Sequence, residues 1–232
     1  FNIYYRARDY SEQSFQTSNL GFEPRIGFPL SENGDMTLRY RLSSDDIYEV
    51  QPDTSQIIEK EQGDLVTSAV GFTYAYDRRN SVVDPTAGFI LTVNQDFAGV
   101  GGDTQYSKTR ATARVYTSFF EEDLVLSAEM EGGYIYAPDG DRITDRFTAG
   151  GDSFRGFARN GIGPRDFCGA DDQAQCRVPQ KQLEVDDALG GNKYAILRLD
   201  ASFPIGLPEE YGVFGGVFAD FGSLWGIKDT RG

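Results

Sequence analysis

A chain of 232 residues with a formal net charge of -14, no histidine and 39% hydrophobic residues is long enough for one large β domain. With no run of about 18 apolar residues it is not a helical membrane protein, and its acidity argues against nucleic acid, whose phosphates need a basic surface. The lack of histidine removes imidazole-based metal sites and acid–base catalysis.

A transmembrane β-barrel stays open, because its strands are only half apolar. The 27 Gly, 13 Tyr and 17 Phe suit a barrel with aromatic girdles. Phe1 to Arg8 already alternates, with Asn2, Tyr4, Arg6 and Arg8 on one face. Gly21 to Leu30 reads as a second strand, followed by a tight turn within Pro29–Asp35. Met36 to Ser43 alternates throughout, which is the signature of a strand and not of a helix. A longer polar stretch at 49–63 precedes strands at Leu65–Tyr76 and Gly88–Phe97. After 98–106 comes Lys108–Thr117, with Arg110, Thr112 and Arg114 on one face. Phe119–Asp123 is a second tight turn, leading into Leu124–Tyr136, where Glu129 and Glu131 share a face. Polar residues 137–143 lead to a short strand at Thr144–Gly150, and a loop at 151–192 follows. Lys193–Phe203 and Val213–Trp225 close the series.

This makes about ten strands, several of them 10 or more residues long. Strands of about 9–11 residues cross a bilayer when tilted, whereas soluble strands average about 5–6. Short turns on one side and long loops on the other complete the barrel layout. The polar face then lines the lumen. It places Arg6, Arg8, Arg39, Arg41, Arg110, Arg114, Glu129, Glu131, Arg198, Asp200 and Asp220 inside. A soluble sandwich with a polar outer face is the alternative. Acidic clusters at Asp45–Asp46, Glu121–Asp123, Asp171–Asp172 and Asp186–Asp187 read as solvated loops, with cation binding by these loops as the alternative. Tyr74, Tyr76, Tyr134, Tyr136 and Trp225, near strand ends, fit an interfacial belt or internal packing. Cys168 and Cys176 share one loop without a CxxC spacing. That points to a short-loop disulfide in an oxidising compartment, with two free thiols as the alternative.

One loop segment differs from the rest: Gly150-Gly151-Asp152-Ser153-Phe154-Arg155-Gly156-Phe157, followed by Gly161-Ile162-Gly163-Pro164-Arg165-Asp166. Its glycines allow positive φ and close packing against a wall, and arginine suits a bidentate ion pair. The loop is therefore expected to fold inward and be anchored there.

These two segments closely resemble the inward-folded loop, with its Arg-Gly-Phe core, of the BamA family of outer-membrane barrel assembly factors, the surface-antigen family. Tyr76-Asp77-Arg78-Arg79-Asn80 and Asp84-Pro85-Thr86-Ala87-Gly88 resemble that family's strand–turn–strand signature. Leu189–Tyr194, Phe203–Pro208 and Phe218–Trp225 resemble its restart after the long loop and its late strands. The resemblance implies an all-β fold, a transmembrane antiparallel barrel of sixteen strands of which residues 1–232 hold about ten. It implies soluble periplasmic repeats before the barrel. It also implies assembly and insertion of barrel proteins into the bacterial outer membrane, with no cofactor, no metal and no covalent chemistry. The partners would be unfolded outer-membrane barrel proteins, the lipid bilayer and accessory assembly lipoproteins. Asp200 and Asp220 match the acidic positions that meet the loop arginine in the family. Phe154, Arg155, Gly156, Phe157, Asp200 and Asp220 are thus the expected loop latch. A related polypeptide secretion barrel is the alternative function, and a passive pore or a glycosidase using Glu129 and Glu131 are weaker ones.

Overall fold

A computed structural model describes residues 1–10, 15–50, 54–168, 185–206 and 213–227. Its main body is one antiparallel sheet in the order β1 (Asn2–Tyr10), β2 (Phe15–Glu23), β4 (Gly34–Tyr48), β5 (Gly63–Asp77), β6 (Gly88–Phe119), β7 (Leu124–Tyr136), β10 (Lys193–Pro204) and β11 (Phe214–Trp225). The short β3 (Arg25–Ser31) continues β2 past Pro24 and pairs with the first part of β4. Nearest neighbours in sequence pair in space throughout this meander, apart from the step from β7 to β10. A second, two-stranded ladder joins β8 (Arg165–Cys168) to β9 (Val185–Ala188). Between β4 and β5 lies one short helix, α1 (Gln56–Lys60), capped by the Ser55 side chain.

The strand β6 spans 32 residues but doubles back on itself. Residues from Ile90 to Ala98 pair with β5, whereas Ser107 to Phe119 pair with β7. Across the fold, Gln95 donates to Ser107 Oγ at 3.0 Å and accepts from Thr109 Oγ1 at 2.6 Å. The reversal falls at Gly99, Gly101 and Gly102, all with positive φ, where a side chain would be strained. A straight strand of that length would run about 100 Å, far more than a bilayer needs.

Several elements differ from the sequence expectation. Thr144–Gly150 is not a strand. Phe147 and Ala149 are buried, which produces the alternation, but they form only isolated bridges to Gly191 and Ile162. The expected loop at 98–106 belongs to the β6 reversal. Within the acidic clusters, Asp45 and Asp46 lie in β4, and Asp187 is buried, accepting from the Ser55 backbone amide at 2.7 Å. These are not solvated loop acids. Cys168 ends β8, and Cys176 with the pairing of the two lies outside the described residues.

Register gives the sheet two chemically distinct faces. On one, Leu197 faces Met130 and Phe221, and Leu199 faces Ala128 and Ala219. Most large apolar residues here are exposed to solvent, among them Met130, Val217 and Phe221. An exposed apolar band on long alternating strands is a lipid-facing surface. Tyr134, Tyr136 and Trp225 sit at its long-loop end, and Tyr74, Tyr76, Phe89 and Phe119 at its short-turn end. The opposite face carries the charges and receives the long connection between β7 and β10.

Two small apolar clusters fix that connection. Phe147, Ala149 and Phe154 pack with Tyr106, Ile135, Tyr194, Ile196 and Leu224 on the wall. Toward the long-loop end, Phe15, Ile47, Ile58 and Leu189 bring together β2, β4, α1 and the chain beyond β9. Ser55 donates to Asp166 at 2.6 Å and Ile143 N to Glu61 at 2.8 Å, so the loops are stitched to one another over the barrel end. Burial raises the Glu61 carboxyl above the usual carboxylate range, partly offset by that backbone bond.

Candidate functional site

The inward loop is first held by its own backbone. Gly150 and Gly151 have φ of 130° and 58°, opening a single 3₁₀ turn at Gly151–Ser153. Ser153 Oγ accepts from Gly150 N and donates to Gly150 O, at 3.0 and 2.9 Å. Gly151 N reaches Phe157 O, and Ile162 N reaches Ala149 O. Few other residues could follow this path, which is why glycines punctuate it.

From that frame Arg155 projects onto the wall. Its Nε donates to Asp220 Oδ2 at 2.8 Å, its backbone N to the same oxygen at 3.1 Å, and a terminal nitrogen to Asp220 Oδ1. The other terminal nitrogen reaches Asp200 Oδ1 at 2.5 Å. Asp200 lies on β10 and Asp220 on β11, so one guanidinium ties the loop to two adjacent strands. The Asp220 side chain is 3% exposed, against 33% for Arg155 and 40% for Asp200. Asp220 is thus the buried partner and Asp200 the wet one. The bonds to Asp220 and then Asp200 push the Arg155 guanidinium further above its already high range.

Phe154 is buried under the arginine and touches the backbone of β11: a Cβ at Gly222 would lie 2.8 Å from its ring. Phe157 stands on Phe154 edge to face, at 5.2 Å between centroids, and is half exposed. Gly156 has φ of 85° with open space around it, so its requirement is conformational. The structure therefore joins Arg155 to Asp200 and Asp220 and sets Phe154 against β11 at Gly222, with Gly156 and Phe157 at the edge.

Three partners escaped the sequence reading. Phe218 faces the same way as Asp220, two residues earlier on β11, and the guanidinium carbon of Arg155 lies 4.0 Å from its ring centroid. An aromatic on the polar face of an alternating strand was the available signal. Arg198 donates to Ser153 O at 2.5 Å and pairs with Glu129 and Glu131, making a second anchor for the loop. Gly222 is the flat spot that admits Phe154. Glu129 and Glu131 also meet Arg114 and Arg110, so these two carboxylates are engaged in a charge network rather than standing as a free acid pair.

Replacing Phe218 by Leu should keep most of the packing and remove the ring face beneath Arg155. A loosening of about 0.5–2 kcal/mol is expected. Proteolysis of the folded full-length protein within residues 150–164 should quicken accordingly, and an unchanged cleavage rate would dismiss the ring contact.

Fold and site together define a section of a membrane β-barrel whose lumen holds an arginine-anchored loop. The chain belongs to the Omp85 superfamily, whose domain description matches residues 1–232. It is 27% identical to the outer membrane protein assembly factor BamA of Neorickettsia risticii over 99% of this chain and 29% of that protein. With the sorting and assembly machinery component 50 homolog B of Xenopus laevis it shares 30% identity over 73% of this chain and 37% of that protein. The crystal structure of BamA from Haemophilus ducreyi lacking POTRA domains 1-3 superimposes with a TM-score of 0.78 at 20% identity, over 97% of this chain and 45% of that one. With BamA of Nitratidesulfovibrio vulgaris it is 26% identical over 86% of this chain and 24% of that protein, so the chain spans less than a third of the length of these two curated BamA relatives.

Proposed function

We propose that the protein containing this section assembles and inserts β-barrel proteins into the bacterial outer membrane. The observation that carries this reading is Omp85 membership over the whole chain, in company with relatives named as assembly factors. The anchored loop supports it, since an occupied lumen suits a scaffold better than a wide diffusion pore. Function is by binding: client strands pair with exposed strand edges, and the disturbed bilayer nearby lowers the barrier to insertion. Unfolded barrel proteins, lipid and accessory lipoproteins are the partners, with no nucleic acid and no covalent step. Phe154, Arg155, Gly156, Phe157, Asp200 and Asp220 act as a latch that keeps the loop against β10 and β11. Cys168 and Cys176 staple the outer part of the same loop.

Depletion of the full-length protein in its host tests this. Broad loss of unrelated outer-membrane barrels, with unfolded forms gathering in the periplasm, is expected. Normal barrels with one missing secreted protein would replace this reading with a dedicated secretion barrel.

A further inference from the structure

The lumen wall formed by β4 and β6, on strands other than those that hold the latch, carries more positive charge than its own carboxylates neutralise. A cavity of about 380 Å³ opens there, lined by cationic side chains from β3, β4 and β6. Only two carboxylates line it, and both are committed. Glu23 is held by Arg25, and Asp96 by Arg39 through Nε at 2.9 Å and a terminal nitrogen at 2.7 Å.

Three cations remain. Among the described residues Arg41 and Lys108 have no carboxylate within salt-bridge distance. Arg41 donates through one terminal nitrogen to the Tyr106 hydroxyl, a neutral acceptor, and its Nε is buried with no hydrogen-bond partner. Lys108 donates to the backbone oxygen of Asp145 at 2.6 Å and rests against the Phe147 ring, which leaves most of its donors unused. Arg110 makes a long contact of 3.7 Å to Glu131 and lies over the Phe147 and Tyr194 rings at 5.5 and 5.8 Å, with no closer carboxylate among the described residues. Thr37 and Asn94 add a hydroxyl and an amide to the same lining. Asp145 lines a neighbouring hollow of about 240 Å³ together with Arg41 and Lys108, attracting both cations from beyond salt-bridge distance, and is not in the lining of this one.

A buried guanidinium nitrogen without a partner is costly, and an anion supplies what the wall lacks. We propose that this wall binds one small oxyanion, a phosphate or its headgroup ester, between Arg41, Lys108 and Arg110. Bound there it would tie β4 to β6 beside the residues that receive Asp145 of the inward loop. The site is independent of the latch and of the assembly reading.

Inorganic phosphate titrated into the detergent-solubilised full-length protein, at constant ionic strength and followed by heat release, tests it. One saturable site is expected, absent with chloride and weakened at least tenfold in Arg41→Gln and in Lys108→Gln. Glycerol phosphate in a parallel titration separates the sources: equal binding points to a lipid headgroup, and binding of phosphate alone to the free ion. No saturation in the wild type, or unchanged affinity in both variants, overturns the site. Heat-modifiable gel mobility checks that each variant is folded. Should Arg41→Gln fail that check, Lys108→Gln decides, and should both fail, specific saturation by phosphate over chloride in the wild type decides.

Discussion

Replacing Arg155 by Glu is expected to free the inward loop from β10 and β11. It removes the only described cation in contact with Asp220 and sets a third carboxylate beside two others. Stranding a buried carboxylate costs about 3–5 kcal/mol, and the partial exposure of Arg155 and Asp200 places the expected loss toward the lower end of that range. Residues 150–164 should then be cut readily by protease in the folded full-length protein, and barrel assembly in the host should fall. Arg155→Lys keeps the charge and loses the fork, so an intermediate result is expected. Combining Arg155→Glu with Asp220→Arg should recover part of the protection if the two side chains meet directly. Wild-type protection and normal assembly in the single Glu variant would sink the latch.

The second large effect is expected from a single methyl group. Gly150→Ala would set a Cβ 2.0 Å from the carbonyl oxygen of Ala158, at a φ of 130° that L side chains rarely adopt. Backbone cannot yield that distance cheaply, so the 3₁₀ turn carrying Arg155 should not form in its present shape. Gly156→Ala is the control. Its φ is also positive, at 85°, but no atom lies within 4 Å of the added carbon. That change should cost only the conformational strain, about 1–2 kcal/mol. Protease sensitivity of the loop should therefore rise steeply for Gly150→Ala and slightly for Gly156→Ala. Equal responses would mean that the loop has no defined packing around Ala158.

Much of the sheet was legible because lipid and lumen impose opposite chemistry on neighbouring residues. In Met36–Ser43 and Lys193–Phe203 every second residue answers to a different solvent, and both segments lie within strands of the structure. Polar runs concealed other strands. Thr17, Ser18 and Asn19 of β2 carry no alternation: all three line one polar hollow, where Asn19 donates to Asp45, so period two does not show there. The opposite error arose at Thr144–Gly150, where burial against the lumen wall imitates a strand without a continuous ladder. The helix α1 is too short to show periodicity, and its Ser55 cap has meaning only once Asp166 and Asp187 are brought to it. At the site, alternation put Asp200 and Asp220 on the lumen face, and the family resemblance of the loop and the late strands implied their pairing with Arg155. Phe218 and Gly222 work through shape, which register reveals and composition does not.

The pairing of β10 with β11 sets Arg198 opposite Asp220 and Asp200 opposite Phe218. Arg155 thus grips two carboxylates that stand one pleat apart on neighbouring strands. A slip of one residue between those strands would carry Asp220 to the lipid side, and a slip of two would move it about 7 Å along the wall. The loop can close only on one alignment. Loop and strand register are thus tied together: only this alignment sets both carboxylates within reach of one guanidinium.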